Sequence, residues 1–171
     1  MHDLLVKEAL IVTCNQTHSI IENAVMAIRK GKIEVLCHAQ CDIAKTLKAK
    51  KTISAKGKMV LPGLINMHCH AGDSLFRGLV ENLPLEAWLK RVWIAEKAIL
   101  SPHTTCLGSI LGFAENLLSG VTCVMDMFWY PHEAVRAAQM LGMRVSTGGL
   151  FFDFSGIGER SHKKYIEEAK E

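Results

Sequence analysis

The chain has 171 residues, 49% of them hydrophobic and 22% charged, with a formal net charge of +3, a profile that excludes a disordered tail or a long coiled coil. A chain of this length can bury one core with a small appendage and needs no disulfide staples. Twenty basic against seventeen acidic side chains is too even a balance to draw nucleic acid or a membrane surface by bulk attraction.

The opening residues Met1, His2, Asp3, Leu4 and Leu5 are not expected to begin a signal peptide, because they lack its basic segment followed by a long apolar one. The six cysteines are therefore expected as free thiols in a reducing compartment, the cytoplasm. Residues 1–58 read as a small β unit: strands at 4–6 and 9–12, a turn at 15–17, a strand at 24–28, and a hairpin turn at 29–32 into a strand at 33–36. Lys45, Lys48, Lys50, Lys51, Lys56 and Lys58 follow without interleaved aromatics to stack bases, and read as a solvated connection. Cys37, His38 and Cys41 lack the paired spacing of a zinc site.

From residue 59 the pattern changes to strands alternating with helical periodicity. Residues 59–61 and 63–65 form an apolar run expected as a strand buried on both faces. A helix starts at Pro84, with Leu85, Trp88, Leu89 and Val92 on one face. Ser101 and Pro102 open another, with Leu107, Ile110, Leu111, Ala114, Leu117 and Leu118 on one face and Gly120 at its end. Residues 98–114 carry no formal charge, but Pro102, His103 and several hydroxyls make them no membrane span. A strand at 121–125, a helix from Pro131 to Gly142, a strand at 144–150 and a helix at 161–171 complete the order, which is that of α/β units with parallel strands. A closed eight-stranded barrel needs about 250 residues, whereas 171 − 58 = 113 residues follow the β unit. The expected fold is thus a β unit plus about three βα units, either a smaller open sheet or the front part of a longer TIM-type barrel.

The strongest chemical signal is Leu61-Pro62-Gly63-Leu64-Ile65-Asn66-Met67-His68-Cys69-His70. On a strand, residues two apart share a side, so His68 and His70 project together and Cys69 faces away. Two imidazoles at the C-terminal end of such a strand can share a divalent transition ion, zinc or iron among them. Two histidines hydrogen-bonded to neighbouring loops would show the same spacing.

This segment, with Leu75-Phe76-Arg77-Gly78, Leu83-Pro84-Leu85-Glu86-Ala87-Trp88-Leu89, Ser119-Gly120-Val121-Thr122, Asp126-Met127 and Ala55-Lys56-Gly57-Lys58, resembles the amidohydrolase superfamily. The similarity is to its branch of methylthioadenosine and S-adenosylhomocysteine deaminases, guanine deaminases and s-triazine chlorohydrolases. The resemblance implies part of a composite β domain at 1–58 and the first units of a metal-dependent barrel at 59–171. It also implies His68 and His70 as the first two ligands of one divalent ion, zinc with iron as the alternative. In such enzymes metal-activated water attacks a ring carbon of a nitrogen heterocycle and displaces an amine or halide. The remaining ligands and the proton-shuttling carboxylate of that family come from later strands, so no catalytic residue is identifiable here and the chain alone is expected to be inactive.

Arg77 and Trp88 fall where the family borders its substrate pocket, and Glu96 lies near an acidic substrate contact on the same helix, although the spacing of residues 93–100 departs from the family pattern. Asp126, ending a strand, reads as the cap of a loop. His103 and His132 sit near helix starts with no support for a ligand role. The expected partners are a small heterocyclic substrate and further copies of the chain as a homo-oligomer, with no nucleic acid and no membrane. The alternative is a truncated, non-catalytic protein that self-associates or binds a completing chain through an open sheet edge.

Overall fold

A computed structural model of the chain describes residues 1–150 and 166–167. It divides into two compact units, Met1–Pro62 and Gly63–Glu171. The expected break at 58/59 thus moves four residues along, and the cause is local. Met59–Val60 (β5) pairs in parallel with the first strand of the first unit, and the second unit's first strand starts only after Pro62 and Gly63, at Leu64.

The first unit is a five-stranded sheet in which residues 32–38 (β3), 20–29 (β2), 2–12 (β1) and 49–54 (β4) lie side by side in that order, with β5 also on β1. His2–Val12 (β1), Ile20–Arg29 (β2) and Lys32–His38 (β3) form the antiparallel meander that their alternation predicts. The β2–β3 turn places Lys30 and Gly31 both at positive φ, 51° and 73°, the backbone form whose twist suits a two-residue hairpin. Strand alternation feeds two cores. Leu5, Val25 and Ala27 pack on one face against Ala44 of the short helix Asp42–Thr46 (α1); Val6, Ala9, Ile11, Ala24 and Met26 pack on the other with Ala55. The lysine-rich stretch is only partly a connection, because Ala49–Ser54 (β4) pairs in parallel with β1 from Leu4↔Lys51 to Lys7↔Ser54. Five of its six residues are exposed, and lysines on such an outer strand discourage further pairing.

The second unit is a parallel sheet in the order Leu64–Cys69 (β6), Val121–Asp126 (β7) and Arg144–Ser146 (β8). Its strands are linked by Leu85–Ile99 (α2), Pro102–Leu118 (α3) and Pro131–Leu141 (α4). This is the βα succession read from the sequence, although β8 stops at Ser146 rather than 150. The helix expected at 161–171 lies outside the described residues except for the helical pair 166–167. Ser101 caps α3 with a reciprocal pair: its Oγ accepts from the Thr104 N–H at 3.2 Å, and Thr104 Oγ1 accepts from the Ser101 N–H at 2.8 Å. Phe113, Cys106, Val124, Ala134, Ala137 and Ala138 form the core between α3, α4 and the sheet. Burying Phe113 alone contributes about 1.5–3 kcal/mol.

The other sheet face does not match the expectation of a strand buried on both sides. Ile65 and Met67 are 62% and 63% exposed, because the core of α3 and α4 forms on one face only. No helix among the described residues is long and apolar enough to cross a membrane.

Candidate metal centre and adjoining cavity

The two histidines owe their placement to an irregularity in β6. From Asn66 to Cys69 this strand advances three residues while β7 advances two, from Val124 to Asp126, so β6 carries one extra residue. Asn66 faces α3, where its Nδ2 donates to Asn116 Oδ1 at 3.2 Å. Unbroken alternation would put His68 on that same side. The bulge reverses the phase: Cys69 packs against the α3–α4 core, and His68 is exposed away from it. Asn66 Oδ1 accepts the His68 N–H at 3.2 Å and so holds the bulge.

The two imidazoles meet edge to face, with centroids 4.7 Å apart and an interplanar angle of 81°. His70 Nδ1 lies 2.6 Å from the Met127 carbonyl oxygen. A carbonyl only accepts, so Nδ1 carries the proton and Nε2 keeps its lone pair, the tautomer that a ligating histidine needs. The residues present therefore fit two positions of a metal site. Among the described residues no group of three or more His, Cys, Asp or Glu side chains is arranged to hold an ion.

Asp126 is 2% exposed at the end of β7, and its Oδ1 accepts the Ala71 N–H at 2.8 Å. It caps a loop, but the loop after β6 rather than its own. Met127 N–H donates to the Cys69 carbonyl at 3.0 Å, so the ends of β6 and β7 are stitched together beside His70. Burial raises Asp126 above the usual carboxylate range, against the Ala71 hydrogen bond. Burial and the adjacent Asp126 push the Cys69 thiol up to about 11, which keeps it neutral and unreactive.

After His70 the chain makes a 3₁₀ turn, Ala71–Phe76, packed closely on α3. A Cβ added at Gly108 would lie 2.4 Å from the Gly72 carbonyl oxygen. Arg77, just beyond, forks onto Glu115 of α3 at 2.7 and 2.6 Å. The structure thus gives Arg77 an exposed role in tying this turn to α3, at the edge of a groove shared with Asp73 and Trp88.

Trp88 and Glu96 do join His70, in a cavity of about 160 Å³ also lined by Asp73, Trp93 and Trp129. Glu96 is 4% exposed and accepts the Trp129 indole N–H at 2.8 Å. Asp73 stands beside Glu96; burial and that neighbour push its carboxyl up to about 8. Asp73, Trp93 and Trp129 carry no local sequence signal, since they meet only through the packing of three separate segments. All six cysteines are free.

The sequence model described as "Amidohydrolase family" matches residues 59–171. The chain is 35% identical over 144 residues to a 5-methylthioadenosine/S-adenosylhomocysteine deaminase of Acetivibrio thermocellus, covering 84% of this chain and 33% of that protein. Among solved structures, an adenosine deaminase from Xanthomonas campestris with bound zinc superposes at a TM-score of 0.91 with 27% identity, over 99% of this chain and 38% of its own. A zinc-complexed atrazine chlorohydrolase of Arthrobacter aurescens TC1 superposes at 0.80 with 21% identity, over 96% and 41%, and shows a shared fold. The chain spans about a third of the length of the curated relative and two fifths of these structures.

Proposed function

The chain belongs to the amidohydrolase family, and on that footing we propose that it is the N-terminal portion of a metal-dependent deaminase acting on an amino-substituted nitrogen heterocycle. The observation that carries the reading is the His68–His70 pair, with the His70 Nδ1 proton committed to Met127 and Nε2 left to bind. The similarity to a zinc-bound adenosine deaminase supports zinc over iron. A bound zinc ion supplies an activated water at neutral pH.

This chain's own residues hold and orient. Asn66 fixes the bulge that aims His68, Met127 fixes the tautomer of His70, and Asp126 fixes the backbone just after His70. Trp88 and Glu96 border the substrate, Glu96 as an acceptor kept in place by the Trp129 N–H. Arg77 acts at the mouth through the turn it ties to Glu115. Deamination is favoured over dehalogenation because the relatives at 35% and 27% identity are deaminases, whereas the chlorohydrolase at 21% supports only the fold. The cytoplasm, with its reducing conditions, suits six free thiols, and a homo-oligomer is the expected assembly.

The test is zinc content and ammonia release from adenosine-type nucleosides, measured on the intact protein and on His68→Ala and His70→Ala. Both variants are expected to lose metal and turnover together; full zinc occupancy in either would overturn the assignment.

A second reading draws on the open sheet face, where Ile65, Met67 and Met125 are exposed. By itself the 171-residue chain would lack turnover and would self-associate or take up a completing chain through that face. A monodisperse monomer on a sizing column would exclude it.

A further inference from the structure

The backbone just after His70 is gripped from three elements. The helix α3 turns Gly108 and Gly112 toward it, four residues apart and so on one helix face. A Cβ on Gly112 would lie 3.0 Å from the Ala71 carbonyl oxygen and 3.2 Å from the Ala71 Cα, and a Cβ on Gly108 would run into the carbonyl of Gly72. From the loop after β7 the Phe128 ring covers Gly72, where a Cβ would strike two ring carbons. From the end of β7, Asp126 holds the Ala71 N–H, and the Asp73 N–H closes the turn onto the His70 carbonyl at 3.0 Å. Gly72, Gly108 and Gly112 are all buried, and none has a positive φ. Space, not backbone freedom, is what requires a glycine at each. In α3 that requirement runs against the helix itself, because glycine is a poorer helix former than any residue but proline, and α3 carries two in its middle turns.

We propose that Gly72, Gly108 and Gly112 are positioning residues for the metal: by letting α3 and Phe128 press directly on the backbone of Ala71 and Gly72, they fix where His70 stands relative to His68. The proposal rests on the reading of His68 and His70 as a metal site. The His70 ring is held by the Met127 carbonyl, and its backbone is held by the clamp that follows. A ligand fixed at both ends presents Nε2 without reordering, and metal affinity falls steeply when the groups that orient a ligand loosen. A packed interior passes a displacement on rather than absorbing it. A methyl added at position 108 meets backbone, which cannot swing aside, so the turn must move as a whole. At position 112 the nearest atom is Ser74 Oγ, 2.7 Å away, which can rotate, so the displacement is smaller.

The test is the zinc affinity of the intact protein, measured by competition with a chromophoric chelator and set beside urea unfolding of the metal-free protein. Gly108→Ala is expected to weaken zinc binding by about 10–100-fold, and Gly112→Ala by less, although alanine favours the helix in both. The control is Ala137→Gly, at a buried position of α4, the helix that packs on α3 and β8. It lowers stability without adding an atom beside the turn, and is expected to leave zinc affinity unchanged. Unchanged affinity in both glycine variants overturns the proposal; if Gly108→Ala does not fold, Gly112→Ala decides alone, since its neighbour can give way. A loss in Ala137→Gly equal to that in Gly108→Ala also overturns it, because stability and not position would then set the affinity. His70→Ala separates this proposal from the reading beneath it: zinc retained there removes the metal site, whereas zinc lost there with unchanged affinity in the glycine variants removes only the clamp.

Discussion

In the first unit the two carboxylates that depart from ordinary behaviour, Asp3 and Glu34, lie at the surface and are lowered, Asp3 by its hydrogen bond from Lys50 and Glu34 by that from Arg29. In the second unit Asp73 and Asp126 are raised, above all because they are buried. Glu96 and Asp126 are among the described charged side chains buried almost completely, and both belong to the second unit. The first unit is built from two apolar faces of one sheet, with its charges outside. The second keeps acidic groups inside, at the C-terminal ends of its strands, where the chemistry of a parallel βα fold is located. Low hydration there makes each charge more responsive to its neighbours.

The sharpest break of this contrast would come from the metal. His70→Ala is expected to abolish zinc retention measured by plasma mass spectrometry, whereas His38→Ala in the first unit is expected to leave it intact; loss in the second variant would mean that the first unit holds an ion as well. Next in size, Phe113→Ala should destabilise the second unit by about 3–5 kcal/mol in urea unfolding, since this ring is fully buried between α3 and the sheet. Gly108→Ala should cost about 1–3 kcal/mol, because its methyl meets backbone rather than a movable side chain.

Opposite pH slopes provide a finer test. Asp73, raised to about 8, holds a proton in the folded state that the unfolded chain releases from the ordinary carboxylate range upward. The second unit should therefore lose stability as pH rises from about 4 to 8, and Asp73→Asn should flatten that slope. Asp3 and Glu34 are lowered, so their small contribution is present above the ordinary range and is lost as pH falls below it. Tryptophan emission isolates the second unit, which holds Trp88, Trp93 and Trp129; equal slopes in Asp73→Asn and the unmodified chain would argue against a buried proton. The smallest effect is expected at the surface. Lys50→Ala, which removes an exposed pair with Asp3, should leave the unfolding midpoint unchanged within error.

The sequence was most informative where a local rule acted alone. Ser101 and Pro102 announced α3, Gly142 ended α4 in a left-handed turn of φ 68°, and the spacing of His68 and His70 announced two imidazoles on one side. Where partners lay far along the chain, the signal disappeared. Residues 49–54 read as part of a solvated link because they lie within the lysine-rich stretch 45–58, yet β1 supplies the ladder that makes them a strand. Trp88 and Glu96 could be named only through the family resemblance of their helix, and their company not at all: Asp73 comes from the turn after β6 and Trp129 from the loop after β7. Arg77 could be placed near the pocket, but its fork onto Glu115 depended on how closely a glycine lets the turn approach α3.

The extra residue in β6 has a consequence for how this chain tolerates change. A substitution at Met67 alters one exposed side chain, and removing that residue would let the ladder run evenly from Asn66 to Asp126 with every later side chain of the strand kept on its present side. His68 would still face the open side and Cys69 the packed helices. What would turn them over is the ladder running evenly with Met67 retained, which sends His68 toward the helices with no ligand altered in identity. A one-codon deletion at position 67 should therefore spare the metal site that the loss of both histidines would silence.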